Sequence, residues 1–419
     1  MAERARRFLF LQGLRSPFFH RLAVGLRSHG QVVDKVHFNV GDHIYWRGKA
    51  VRCRASSDEL PGFYQNLFGQ HEYTDVVLFG DCRPVHQPAI EHARSAEIRV
   101  HVFEEGYFRP DWVTLERDGV NGNSCLPQSA SWYRSAAGVL PDIVAHDSIP
   151  SGFKARVWHD VRYNLASIGD RWLYPNYPSH VPYAIHDEYL AYVRRAWRLQ
   201  WKRGGDSEVV RQLCEEYATP FFLLALQIKG DSQLRFHSDY ANPSKLLTEV
   251  ISSFAAHAPS EFKLLIKNHP LDPGMTDYPK MIREISETHG VNDRVIFIET
   301  GHLPTLLEKA RGMVTVNSTT IGQSLFHRCP VKALGRSIFD MPKLTYQGGL
   351  DDFWLNPGTV DRELFMDVQR VMIHLTQIHG GLHSDLGIAI AVTNAVPRLL
   401  ETESRLERLL LEIPLETNA

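Results

Sequence analysis

The chain has 419 residues, of which 43% are hydrophobic and 22% charged, and a formal net charge of −2 at pH 7. That length exceeds one ordinary core and predicts two domains; the composition excludes global disorder. A charge balance so near zero excludes a whole-protein nucleic-acid footprint, though it allows local basic patches.

Arg4, Arg6 and Arg7 ahead of Phe8 to Leu11 imitate a secretory signal, but the apolar run stops at Gln12-Gly13 and no small-residue cleavage site follows. A first buried strand is the better reading. After it come a helix over Phe18 to His29, strands over Val32 to Phe38 and Val76 to Phe79, a helix over Val85 to Ala93 and a strand over Ile98 to Phe103. Short apolar strands between amphipathic helices predict a parallel sheet covered on both faces.

From about Phe153 to Gly205 the composition changes, and aromatic residues interleave with cations. As a helix from Asp187 to Lys202, this stretch places Trp197 and Trp201 near one face and Arg194, Arg198 and Lys202 in a neighbouring row. Two readings fit equally: a helix lying on an anionic membrane surface, or an interdomain helix whose cations are solvated. The strand and helix alternation then resumes. Strands fall over Phe221 to Leu226, Phe262 to Ile266, Val295 to Ile298 and Met313 to Val316, with helices over Lys245 to His257, Tyr278 to His289, Thr305 to Ala310 and Ile321 to His327. The fold class is therefore α/β with two Rossmann-like halves. The expected division is an N-terminal domain over 1–150, a helical connector over 151–215, a C-terminal domain over 216–358 and terminal helices over 359–419. No run approaches the roughly 20 apolar residues of a membrane span. The five cysteines are scattered without a CxxC pair, which argues for a reducing compartment.

The chemistry-bearing motifs stand at predicted strand ends, where open α/β sheets bind ligands. Glu104-Glu105-Gly106 follows one strand and Lys267-Asn268-His269-Pro270 another; together they suggest a two-domain transferase with its donor in a cleft. An arbitrary Glu-Glu-Gly is most often an exposed strand end. Beside a tight turn at a sheet edge, a carboxylate whose pKa is raised can act as acid or base. Gln227 to Gln233 includes Asp231 and Ser232; the plain reading is a capped turn, the functional one a nucleophile facing Glu105. His269 before Pro270 either begins a loop or aims its ring at a phosphate, with Lys267 upstream on the same side of the strand. Asn317, Ser318 and Thr319 precede a helix, so their hydroxyls and backbone N–H groups can hold a phosphate or simply cap. Gln12 and Gly13, and Asp81 and Arg83, form further strand-end loops. The absence of GxGxxG and of a Walker A loop leaves nicotinamide and kinase chemistry unsupported. With no HExxH spacing among 21 histidines, no catalytic metal and no cofactor is expected.

Seven blocks taken together carry a resemblance: Phe-Leu-Phe-Leu-Gln-Gly (8–13), Phe-Gly-Asp-Cys-Arg-Pro (79–84), Phe-Glu-Glu-Gly-Tyr-Phe-Arg-Pro (103–110), Gln-Ile-Lys-Gly-Asp-Ser-Gln (227–233), Ile-Lys-Asn-His-Pro (266–270), Val-Asn-Ser-Thr (316–319) and Leu-Thr-Tyr-Gln-Gly (344–348). In order and context they resemble the KpsS/LipB family of capsular polysaccharide biosynthesis proteins. The resemblance implies a GT-B fold and transfer of β-Kdo from CMP-Kdo to lyso-phosphatidylglycerol at the cytoplasmic face of the inner membrane, with other capsule proteins as partners and no nucleic acid.

Residue by residue, Glu105, or less readily Glu104, matches the family's acidic position, and His269 the histidine that binds the CMP phosphate. Ser318 and Thr319 match the hydroxyl pair near that phosphate, and Asp231 matches the Asp of the Gln-xxx-Asp-Ser block. Lys267, Pro270, Asn317, Gln227, Ser232 and Gln233 share the same donor loops. A β-linked donor and a β-linked product imply net retention, with Asp231 as nucleophile and Glu105 as proton carrier. The alternatives are a transferase for another nucleotide-activated sugar, or a non-catalytic capsule assembly or export component. No motif in 153–205 aligns with the family, and acceptor contacts are expected there.

Overall fold

The computed structural model describes residues 5–150, 152–178, 185–216, 219–228, 234, 236–240 and 242–415. For residues 185, 186, 188, 189, 196, 200–203 and 216 it describes the backbone alone. In chain order the elements begin β1 (Arg7–Phe10), α1 (Phe18–Ser28), β2 (Val32–His37), α2 (Val40–Ile44), β3 (Val51–Arg52), α3 (Leu60–Gln70), β4 (Asp75–Phe79) and α4 (Gln87–Ser95). They continue β5 (Arg99–Glu105), β6 (Trp112–Arg117), α5 (Ala130–Val139), α6 (Phe153–Ser167), α7 (Asp170–Leu173), α8 (Ile185–Arg211), β7 (Phe221–Ala225), α9 (Pro243–His257) and β8 (Lys263–Lys267). Next come α10 (Tyr278–Thr288), β9 (Val295–Ile298), α11 (Leu303–Lys309), β10 (Gly312–Thr315), α12 (Thr320–Phe326), β11 (Val331–Ala333), α13 (Leu350–Phe353) and α14 (Arg362–Leu375). The chain closes with β12 (Gln377–His379), α15 (Asp385–Leu400) and α16 (Arg405–Glu412).

Two compact units result. The first holds 1–127, 135–180 and 369–419, and the second 128–134 and 181–368. This differs from the expected division at three places. Residues 151–180 belong to the first unit and are not a free connector. The terminal residues return to the first unit because β12 pairs with β6 and α15 packs on α1, where Val392 and Val396 lie against Gly25. The segment 128–134 joins the second unit, where Arg134 pairs with Asp361 at 2.6 Å.

The first sheet runs β12-β6-β5-β4-β1-β2-β3. The pairs among β1 to β5 are parallel, as expected, but β5–β6 and β6–β12 are antiparallel. Successive residues of β1 serve opposite faces: Phe8 and Phe10 enter the core beneath α1 and α15, Leu9 and Leu11 the core beneath α3 and α4. Burial on both faces explains the unbroken apolar run, since a one-sided sheet reads as alternation. The second sheet is wholly parallel, in the order β11-β10-β7-β8-β9. The strand order reverses between β1 and β4 in one sheet and between β7 and β10 in the other, and the loops beyond the carboxyl ends of those strands are where such sheets bind ligands. Among the described residues, no helix is long and apolar enough to cross a membrane.

Candidate functional site

At the carboxyl edge of the first sheet the acidic pair differs from expectation in one respect. Glu104 and Glu105 are the last two residues of β5, opposite Thr114 and Val113 of β6, and do not lie in a loop beyond the strand. Gly106 makes the turn possible, because a Cβ there would stand 2.2 Å from the Trp112 carbonyl oxygen. Glu104 accepts the Glu105 backbone N–H at 3.0 Å. Glu105 instead lies between two guanidiniums, Arg156 Nη1 at 3.1 Å from one carboxylate oxygen and Arg109 Nη1 at 3.3 Å from the other. Burial would raise its pKa, but Arg109, Arg156 and the nearby His383 hold it below the ordinary glutamate value. The condition set for an acid or base role, a raised pKa, is therefore reversed: Glu105 is an ionised carboxylate held by two guanidiniums.

His383 is half-buried beside this group, and neither of its buried ring nitrogens has a hydrogen-bond partner. Burial, reinforced by Arg156, pushes its pKa down to about 4 despite the opposing pull of Glu105, so the ring is neutral at pH 7. Nothing in the sequence singled out Arg156 or His383, which lie 51 and 278 positions from Glu105.

The remaining first-unit loops hold the edge together. Gln12 is fully buried, bonds the Tyr177 hydroxyl at 2.9 Å and accepts from Arg83 at 3.2 Å, while Arg83 also donates to the Gly13 carbonyl at 2.8 Å. A Cβ at Gly13 would collide with the Phe19 ring. Asp81 accepts the Val120 N–H at 3.2 Å and the Asn123 amide at 3.0 Å, which anchors the chain after β6. These contacts tie the strand-end loops that carry Gln12, Asp81 and Arg83 to one another and to the chain after β6. Sequence also passed over Lys35, buried in β2, whose ammonium donates to the Leu11 carbonyl at 2.6 Å. Burial pushes its pKa down to about 8.

At the carboxyl edge of the second sheet, Gln227 and Asn317 form a reciprocal pair. The Gln227 amide donates to Asn317 Oδ1 at 3.0 Å, and the Asn317 backbone N–H returns a bond to Gln227 Oε1 at 3.1 Å. The ends of β7 and β10 are thereby tied at the switch point. Ser318 Oγ accepts the Thr320 N–H at 3.2 Å, and Thr319 stands at the N-cap of α12 without a capping bond from its side chain. Lys267 is buried, donates to the Asn268 carbonyl at 3.3 Å and has its pKa lowered by that burial. Asp231, Ser232 and Gln233 lie outside the described residues.

The His269-Pro270 turn is held by a residue the motif search missed. Arg195 of α8, itself buried, donates to the carbonyls of His269 at 3.1 Å and Pro270 at 2.8 Å and to that of Asp272. It also pairs with buried Glu299 at 3.1 Å, to which Asn268 donates at 2.9 Å. The Leu271 N–H meets His269 Nδ1 at 3.1 Å, so the ring carries its proton on Nε2. Arg198, 42% exposed, reaches Glu299 at 3.0 Å. Arg194 and Trp197 are exposed, and the side chains of Trp201 and Lys202 lie outside the described residues.

Comparison with known proteins agrees with the motif order. A family model described as "Capsule polysaccharide biosynthesis protein" matches residues 74–382. The chain is 35% identical over 378 residues to the capsule polysaccharide export protein KpsS of Escherichia coli, covering 89% of this chain and 96% of that one. It is 36% identical over 398 residues to the capsule polysaccharide modification protein LipB of Neisseria meningitidis serogroup B, covering 92% and 94%. Among solved structures it is similar to Thermosulfurimonas dismutans KpsC, beta Kdo 2,7 transferase, at 13% identity and a TM-score of 0.43, covering 94% of this chain and 99% of that one.

Proposed function

The chain belongs to the capsule polysaccharide biosynthesis protein family, and from that premise we propose that it is a glycosyltransferase that moves β-Kdo from CMP-Kdo to a lyso-phosphatidylglycerol acceptor. The product would start the poly-Kdo linker of a capsular polysaccharide at the inner face of the inner membrane. The choice of Kdo, CMP and lipid rests on the motif resemblance. The observation that carries the reading is the His269 turn, whose three carbonyls are gripped by Arg195 so that an Nε2–H donor is presented at a strand end beyond β8.

In the proposed reaction the Asp231 carboxylate attacks the anomeric carbon, the bond to the CMP phosphate oxygen breaks, and a glycosyl-enzyme forms. The His269 Nε2–H and the Ser318 and Thr319 hydroxyls donate hydrogen bonds to the charge that develops on the departing phosphate. The acceptor hydroxyl then attacks the same carbon, its proton passes to ionised Glu105 and Asp231 is released. Two inversions give net retention.

The test is mass spectrometry of the intact protein after exposure to CMP-Kdo. A Kdo adduct that Asp231→Ala lacks supports the sequence of steps, and an adduct kept by that variant overturns it. Competition of the donor by CMP over UDP and GDP checks the nucleotide. The word "export" in the name of the Escherichia coli relative favours a second reading, a non-catalytic export component. On that reading, cells carrying Glu105→Ala or His269→Ala would still make capsule.

A further inference from the structure

Helix α6 has two faces of different chemistry. Its inner face covers the carboxyl edge of the first sheet. The Asn39 amide donates to the Tyr163 hydroxyl at 2.6 Å, Asp160 pairs with Arg15 at 3.4 Å, and Arg156 reaches Glu105 at 3.1 Å. The outer face, prolonged by α7, is apolar and unpacked. Val157, Leu165, Ile168 and Leu173 stand exposed there, as do Trp158 at 60% and Trp172 at 74%. Side chains of this size in such density are the residues a domain ordinarily buries, and an exposed patch of them marks an interaction surface.

The charges on the two faces say which kind of surface. Lys154, Arg162 and Arg171 are exposed among the apolar residues. The two acids of the segment are engaged with the body of the unit: Asp160 with Arg15, and Asp170 with the Val40 N–H at 2.6 Å. What faces outward is therefore tryptophan, aliphatic carbon and positive charge, the combination that seats a helix at headgroup depth on an anionic bilayer. Helix α8, for which the sequence left a membrane-facing and an interdomain reading open, spends Arg195 and Arg198 on Glu299.

We infer that α6 and α7 form the surface by which the protein lies on an anionic phospholipid bilayer, and that α6 brings the lipid headgroup to Glu105 through its inner face. The second half rests on the lipid-acceptor reading above; the first does not. The same helix then sets both the depth of the protein in the headgroup layer and the position of Arg156 against the catalytic carboxylate.

The experiment is sedimentation of the full-length protein with vesicles of phosphatidylcholine alone or mixed with phosphatidylglycerol, beside transfer from CMP-Kdo to an acceptor dispersed below its micellar concentration. The wild type should sediment with the anionic vesicles. Trp158→Ser/Ile168→Ser/Trp172→Ser should weaken that binding roughly tenfold or more, since each lost side chain removes apolar burial, and leave transfer to the dispersed acceptor intact. Lys154→Gln/Arg171→Gln should reduce the preference for anionic vesicles, and Val193→Ser/Trp197→Ser on α8 should change nothing. A triple variant that sediments like the wild type overturns the inference. So does a wild type that ignores vesicles but self-associates or binds another capsule protein through these residues. Vesicle binding lost in the triple variant, with no Kdo transfer to any acceptor by the wild type, keeps the surface and removes the catalytic reading.

Discussion

At the carboxyl edge of the first sheet the central group is a carboxylate held by charge: Glu105 sits between Arg109 and Arg156 with neutral His383 beside it. At the corresponding edge of the second sheet the central groups are held by geometry, Gln227 and Asn317 by exchanged amide bonds and the His269 turn by a guanidinium bound to its carbonyls. The difference fits the two tasks proposed above. An edge that takes a proton benefits from charges that set a pKa. An edge that receives a phosphate benefits from donors fixed before the ligand arrives.

The comparison is broken most directly at its two centres. Glu105→Gln keeps the shape of the first edge and removes the charge, and should lower kcat for Kdo transfer by about 10²–10⁴-fold with unchanged donor affinity. Activity within a few fold of wild type would show that the charge there is structural. Arg195→Met strikes the second edge. It strips the His269 turn of its anchor and leaves buried Glu299 with only the Asn268 amide and the more exposed Arg198, so denaturant unfolding should show a loss of about 3 kcal/mol, with KM for the donor raised more than kcat is lowered. Gln227→Ala removes both bonds to Asn317 and should cost about 1–3 kcal/mol, again with a weaker hold on the donor.

The smallest effect sharpens the contrast through pH. The His383 pKa falls from 6.5 in the unfolded chain to about 4 in the fold. Between those values the unfolded chain binds the proton and the folded chain does not, so stability rises with pH across that window and is lost as pH falls through it. His383→Gln should flatten this dependence by on the order of 1–2 kcal/mol at about pH 5, read as Tm against pH. An unchanged slope would remove His383 from the electrostatics of the first edge.

Much of this was legible before folding. The strands Phe8 to Leu11 and Phe221 to Leu226 stand within a residue or so of where their apolar runs put them, because a strand buried on both faces is a short unbroken apolar run. The helix over Phe18 to His29 was equally plain, since Phe18, Phe19, Leu22, Ala23 and Leu26 recur at helical spacing and all are buried. Strands β6 and β12 were not read. Trp112 to Arg117 carries Thr114, Glu116 and Arg117 among its apolar residues, and Gln377 to His379 is three residues long. Their strand character comes from pairing with each other and with β5.

By itself the sequence determined two α/β sheets, the strand ends that carry Glu105, Gln227, His269 and Asn317, and the family to which their order belongs. Those properties are local: strand and turn are written in runs of a few residues, and a motif is recognised from its immediate neighbours. Tertiary structure alone decided that Glu105 is an ionised carboxylate, that Lys267 is buried, that Arg195 holds the histidine turn and that α6 carries an apolar outer face. Each of these depends on partners far away in the chain, Arg156 and His383 for Glu105 and Glu299 for Arg195. A pKa or a hydrogen-bond network is a property of the environment those partners make and not of the residue alone.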